Sequence, residues 1–281
     1  MKTAIDKFFE EGLGREVASW SMETYRVSTS SLRPMPNFII FGSQKGGTTS
    51  LYNYLTQHPS VIHAARKEVH FFDKNFERGG EWYRSRFPMC GQNFITGEAS
   101  PSYIFHPHAP KRIAEMTPSV KLIALLRNPV DRAYSHYNHN FKKKREKLSF
   151  ELALETEEER LSQHLYLMLE DEKYFNKNYF HYSYLGRGLY LEQLKRWFTL
   201  FSKEQILILR SEDFYADTAG IFNRVLEFLR LPQWKLGEYR RFNGLDYQDM
   251  NSATRNQLVE YFKPHNQRLY EFLGMSFDWD K

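Results

Sequence analysis

Asn37-Phe38-Ile39-Ile40-Phe41-Gly42-Ser43-Gln44-Lys45-Gly46-Gly47-Thr48-Thr49-Ser50-Leu51-Tyr52-Asn53 is the stretch that decides the fold. Phe38 to Phe41 are apolar without alternation, which marks a strand covered on both faces, as inside a parallel sheet. Gly42 ends the strand, and Lys45-Gly46-Gly47 makes a loop with few side chains. Thr48 and Thr49 stand where a helix would open, with Leu51, Tyr52 and Leu55 as its apolar face. Strand, glycine loop and helix start aim several backbone N–H groups and a positive dipole end at one point. Lys45 adds a full charge there on a flexible stem. An anionic group, a phosphate above all, is expected at this place. The nucleotide triphosphatase loop G-x-x-x-x-G-K-[ST] fits the spacing of Gly42 and Gly47, but Thr48 follows the last glycine where that loop has its lysine. The cradle is therefore of a different kind. The bland alternative is an ordinary β-turn-α connection whose glycines serve only packing.

Outward from this stretch, Lys121-Leu122-Ile123-Ala124-Leu125-Leu126 reads as a second buried strand, stopped by Arg127, with Asn128-Pro129 as a helix entry. Arg127 thus emerges at the carboxyl end of a strand, the edge of an open α/β sheet where ligands bind. Ser135 lies two turns down the following helix and can converge with Arg127 on a second anion. An Arg capping a strand end and a Ser on a helix surface is the plainer reading. Lys67-Glu68-Val69-His70-Phe71-Phe72-Asp73 interleaves charged and large apolar groups. Read as a strand or extended loop, it puts Glu68 and His70 on one face, as a general-base pair or as a solvated edge.

Elsewhere, residues 3–25 have helical spacing interrupted by Gly12 and Gly14, and a Ser/Pro-rich connector precedes the first strand. Short strands are expected after His58-Pro59 and near 94–99, and another over 205–209. Helices are expected over 107–116, 161–174, 219–231 and 252–273. Lys142-Lys143-Lys144-Arg145-Glu146-Lys147 is either a solvated run or a rim that draws an anionic substrate. Tyr190, in an amphipathic helix after Gly186-Arg187-Gly188, is a core residue or, being near the turn, a ligand contact. Arg240-Arg241-Phe242-Asn243-Gly244 is a basic turn that could close over a ligand. The expected fold is α/β, a central parallel sheet with helices on both faces. Residues 1–35 form a helical arm and connector, and 36–281 one domain.

With 281 residues, 41% apolar, the chain can fill a sizeable core. A formal charge of +5 suits an anionic ligand but falls short of a nucleic-acid-binding signature. Cys90, the single cysteine, excludes an internal disulfide and a Cys-rich metal site. The N-terminus has no apolar signal region, and no apolar run approaches a membrane span. A cytoplasmic protein without a membrane span is expected.

Together, Lys45-Gly46-Gly47-Thr48-Thr49 resembles the 5′-phosphosulfate loop of the sulfotransferases, and Arg127-Asn128-Pro129-x-Asp131-x-x-x-Ser135 resembles their 3′-phosphate motif. Within that family the chain is similar to the heparan sulfate branch (3-O- and N-sulfotransferases) and its bacterial relatives. The carriers are Lys67 to Asp73, Phe262-x-Pro264-His265-Asn266 and Phe277-Asp278-Trp279. The resemblance implies a P-loop-like sulfotransferase fold and 3′-phosphoadenosine 5′-phosphosulfate (PAPS) as donor, with PAP as product and no metal. It implies that Lys45 and the amides of Gly46, Gly47, Thr48 and Thr49 hold the 5′ end, Arg127 and Ser135 the 3′-phosphate, with Tyr190 an added cofactor-side candidate. Glu68 matches the family's catalytic base and His70 is the alternative; either would need a proton affinity suited to neutral pH, for Glu68 one raised by aromatic surroundings. Two departures bear on the acceptor. Glu98 is followed by Ala99 where the 3-O branch has Lys, and 241–251 holds no Lys-Gly pair. The expected acceptor is therefore a small hydroxylated metabolite or a glycan. The rivals are a P-loop nucleotide kinase and a non-catalytic nucleotide-binding protein.

Overall fold

A computed structural model describes residues 12–91, 93–240, 242 and 247–280. Five strands, β1 Phe38–Gly42, β2 Val61–His63, β3 Ile95–Ala99, β4 Lys121–Leu126 and β5 Ile206–Arg210, form one sheet in the order β2-β3-β1-β4-β5. Every pairing is parallel, with Phe38 beside Gly97 on one side and Lys121 on the other. The helices of eight or more residues are α1 Gly12–Ser28, α2 Thr48–Leu55, α3 Ala109–Met116, α4 Pro129–Lys142, α5 Glu157–Glu170, α6 Tyr190–Phe198, α7 Thr218–Phe228 and α8 Ser252–Leu273.

The unalternating apolar run of β1 is explained by two cores. Ile39 and Phe41 face one side, with Leu122, Ala124, Leu194 of α6, Trp197 and the tail residues Phe277 and Trp279. Phe38 and Ile40 face the other, with Leu51 and Leu55 of α2 and Phe222 and Val225 of α7. Helices thus cover both faces, as the buried-type strands require. The chain lays β2 and β3 to one side of β1, then crosses to β4 and β5 on the other. That reversal lies between the carboxyl ends of β1 and β4, where an open α/β sheet leaves a crevice.

Several local expectations change. α1 runs without a break at Gly14, and α1 is tied to the domain where Arg26 Nε donates to the Ser85 carbonyl at 2.9 Å and Trp82 Nε1 to Glu23 at 2.7 Å. α5 stops at Glu170, short of Tyr174. Residues 68–73 are neither strand nor extended loop. Glu68 and His70 have positive φ (58° and 53°), and Phe71–Lys74 is a helical turn.

Candidate active site

The loop after β1 is folded tightly against β4. Ser43 donates from both its amide (2.9 Å) and its hydroxyl (2.8 Å) to the carbonyl of Leu125, and the Gly46 amide donates back to Ser43 at 3.0 Å. A Cβ on Gly46 would stand 2.3 Å from the Leu125 oxygen. Gly47, at φ +101°, precedes α2 and leaves room for the Tyr215 hydroxyl. Both glycines are therefore demanded by geometry, one by contact and one by backbone conformation. Lys45, Gly47, Thr48 and Thr49, at the head of α2, line a cavity of about 710 Å³.

Arg127 and Ser135 line the same cavity. Arg127 Nη1 donates to the Lys45 carbonyl at 3.2 Å, so the β4 end and the β1 loop are held as one piece. The turn beneath them is fixed from below. The Asn128 side chain accepts from the Val130 amide, the Asn128 amide donates to Glu212 at 2.9 Å, and Trp279 Nε1 donates to the other oxygen of Glu212 at 3.2 Å. Tyr190 is buried, and its hydroxyl donates to the Arg127 carbonyl at 2.8 Å. It supports Arg127 and does not line the cavity, and neither does Gly46.

Opposite Lys45, Glu68, His70 and Asp73 form a chain: His70 Nε2 lies 2.9 Å from Glu68 and Nδ1 2.9 Å from Asp73. The positive φ at His70 folds Asp73 back under the ring, where Ser102 also donates to it. Burial would lower the His70 pKa, but the hydrogen bonds to Asp73 and Glu68 outweigh it and hold the ring at about 9. Burial would raise Glu68; the bonded imidazolium and Lys67 overcome it and bring Glu68 to about 2. The expectation of a Glu68 with raised proton affinity is thus reversed: its polar partners outweigh burial. Burial lowers Lys45 to about 8, and Arg127 and Lys143 push the same way while Glu68 opposes them.

Among the described lining residues Glu68 is the one carboxylate, set against seven lysines and arginines. A pocket of this size and sign selects a multiply anionic ligand with one proton-accepting group facing it. The family profile described as sulfotransferase domain matches residues 35–279. This chain belongs to the sulfotransferase family. It is therefore an enzyme of sulfuryl transfer. Its relatives include human heparan sulfate glucosamine 3-O-sulfotransferase 6, 32% identical over 88% of this chain and 74% of that one. The human 3-O-sulfotransferase 3B1 is 30% identical over 90% and 67%. The membrane-associated sulfotransferase kil1 of Dictyostelium discoideum is 28% identical over 87% and 66%. The chain thus spans 66 to 74% of the length of these curated relatives. The crystal structure of a sulfotransferase from Alicyclobacillus acidocaldarius, 30% identical, superposes with a TM-score of 0.74 over 88% of this chain and all of that one.

In this sulfotransferase the motifs from β1, β4 and residues 67–73 meet in one cavity, as their order along the chain suggests. Lys143 and Arg145 of the basic run do form part of its wall. Of the basic turn at 240–244, Phe242 lines the cavity, while Arg241, Asn243 and Gly244 lie outside the described residues. The positive-φ turn brings in Asp73 and Lys74, the loop after β3 Ser102 and a distant 3₁₀ turn Arg187, so the sequence hardly marks them. The one trace of Asp73 in the sequence is its place as an acid three residues after His70.

Proposed function

We propose that the enzyme moves the sulfuryl group of PAPS onto a hydroxyl or amine of a glycan or small-metabolite acceptor, with Glu68 as base and Lys45 stabilising the leaving phosphate. The observation that carries this reading is the pair of anion-holding ends on adjacent strands, Lys45 with its glycine loop on β1 and Arg127 with Ser135 beyond β4, facing one carboxylate across one cavity. The residues fit such a donor. The glycine cradle admits backbone close to an anion, and the amides at the head of α2, Thr48 and Thr49 are suited to the 5′ end. On this reading Arg127 and Ser135, which line the same cavity, take the 3′-phosphate.

When bound, PAPS supplies an activated sulfuryl group with a phosphate as its leaving side. On this reading Lys45 meets the negative charge that builds on the leaving phosphate, and so contributes more in the transition state than in the ground state. Glu68 is ionised at every physiological pH and is always in the form a base needs. Its low proton affinity suits a late proton transfer, once bonding to sulfur has made the attacking oxygen acidic. His70, charged at neutral pH and bonded on both nitrogens, orients Glu68 and is itself no acceptor.

The test is incubation with labelled PAPS and a panel of sugars, phenols and amines, for wild type and Glu68→Gln. Expected is transfer by wild type and a loss of about 10²- to 10⁴-fold in the variant, with PAP binding retained. Full turnover in Glu68→Gln removes Glu68 as base. Thermal stabilisation by ATP–Mg²⁺ and none by PAP would favour the kinase reading.

A further inference from the structure

We infer that Tyr215 is a donor-binding residue, whose hydroxyl donates to the 5′-phosphate of the nucleotide and completes the cradle begun by Lys45 and the head of α2. This rests on the reading of the β1 loop as the 5′ site and deepens it by adding a contact from a third strand.

Tyr215 lies in the short helix Ser211–Ala216, which follows β5 directly. In the sheet β4 separates β5 from β1, yet this side chain reaches the β1 loop. A Cβ on Gly47 would stand 2.9 Å from Tyr215 Oη and 3.3 Å from its Cζ, so the hydroxyl end of the ring is the part that meets the loop. Tyr215 is half-buried and lines the cavity together with Lys45, Gly47, Thr48 and Thr49. Its place is fixed from behind. The neighbouring Phe214 is fully buried, with its ring centroid 5.2 Å from that of Tyr215 and 5.9 Å from that of Tyr54 in α2. One turn earlier, Glu212 accepts from the Asn128 amide and from Trp279 Nε1. The short helix is therefore tied both to α2 and to the turn after β4.

Phe214 fills the apolar space beneath, and a phenylalanine would pack equally well at 215. What tyrosine adds is a hydroxyl donor on a rigid ring, beside a loop whose other donors are backbone amides and one flexible lysine. A neutral donor helps to hold an anion without adding a further cation to a wall that already carries seven lysines and arginines among its described residues. Place decides which phosphate it serves. Tyr215 stands at Gly47, the N-cap of α2, whereas Ser135 lies about two turns into α4. The 5′ end is therefore the end that Tyr215 touches.

The experiment is calorimetric titration of the full chain with PAP and with adenosine 3′-monophosphate, which keeps the 3′-phosphate and lacks the 5′-phosphate. The weaker of the two is read by displacement of the stronger. Tyr215→Phe is expected to bind PAP about 10-fold or more weakly than wild type, while its affinity for adenosine 3′-monophosphate stays unchanged. Should Tyr215→Phe fail to fold, Tyr215→Leu removes the same hydroxyl and is expected to give the same split. Unchanged PAP affinity in a folded variant, or an equal loss for both nucleotides, overturns the proposal and leaves the donor reading standing. Wild type that binds neither nucleotide overturns the donor reading, and this proposal with it.

Discussion

Lys45 is the side chain on which the proposed chemistry is most sensitive to pH. Its amine is held near pKa 8 in the free enzyme by burial and by the neighbouring Arg127 and Lys143. It carries its charge below that value and loses it above, so kcat/KM for the donor should fall as pH rises through about 8, the value set by the free enzyme. No acid limb from Glu68 is expected above pH 4, since that carboxylate is ionised down to about 2. Lys45→Arg should move the alkaline limb upward, because a guanidinium keeps its proton. Lys45→Met should cost about 10²-fold or more in kcat at neutral pH. A pH–rate profile of the three proteins checks all of this. Lys45 was legible from its glycine neighbours alone. The state of Glu68 was not, because the run from Glu68 to Asp73 gives no sign that its backbone turns twice through positive φ and wraps the carboxylate around an imidazolium.

At the level of elements, the β1 loop and the end of β3 carry separate duties. Gly46→Ala would push a methyl into the Leu125 carbonyl that anchors Ser43. The loop must then move away from β4, and PAP affinity should drop about 100-fold or more while the sheet persists, with a stability loss of about 1–3 kcal/mol. Calorimetry with PAP and thermal melting separate the two effects. At the end of β3, the fully buried Glu98 accepts from Tyr83 at 2.8 Å, Ser100 at 2.6 Å and Tyr103 at 3.1 Å. Ser100 Oγ and Tyr103 Oη in turn accept the amides of His70 (3.1 Å) and Phe71 (2.8 Å). Glu98 therefore positions the turn that holds His70 without lining the cavity. Glu98→Gln replaces an accepting oxygen with a donor, so one hydroxyl must turn away and the turn loosens. Expected is a fall in kcat of about 10- to 100-fold with donor KM unchanged. An equal loss in PAP affinity would show a general disruption instead. The strands and the long helices were readable because burial on both faces leaves unbroken apolar runs, and Ser252 to Leu273 matches its expected span. The short turns were unreadable because side chains far along the chain impose them, as Tyr103 does on Phe71.

For the molecule as a whole, the Glu68–His70–Asp73 chain links the proposed catalytic site to folding. Asp73 is fully buried, which by itself would raise its pKa, but the His70 hydrogen bond overcomes burial and brings it down to about 2. A lowered carboxylate contributes stability that is present above its unfolded value, near 4, and is lost as pH falls toward 2. The raised His70 contributes below its unfolded value, near 6.5, and that part is lost as pH rises through about 9. Stability should therefore be greatest between about pH 4.5 and 6.5. Asp73→Asn should remove roughly 2 kcal/mol there and flatten both flanks of the profile. Urea melts across pH test this.

The division of the cavity wall has its own consequence. Arg145, Phe180 and Arg187 come from the long excursion between β4 and β5, which packs around Phe150 and Tyr184 with Leu258 and Phe262 of α8 and contributes no strand to the sheet. Grafting a relative's version of residues 145–188, which leaves Arg127, Ser135 and Tyr190 in place, should therefore retarget the enzyme to a new recipient while leaving its fuel unchanged.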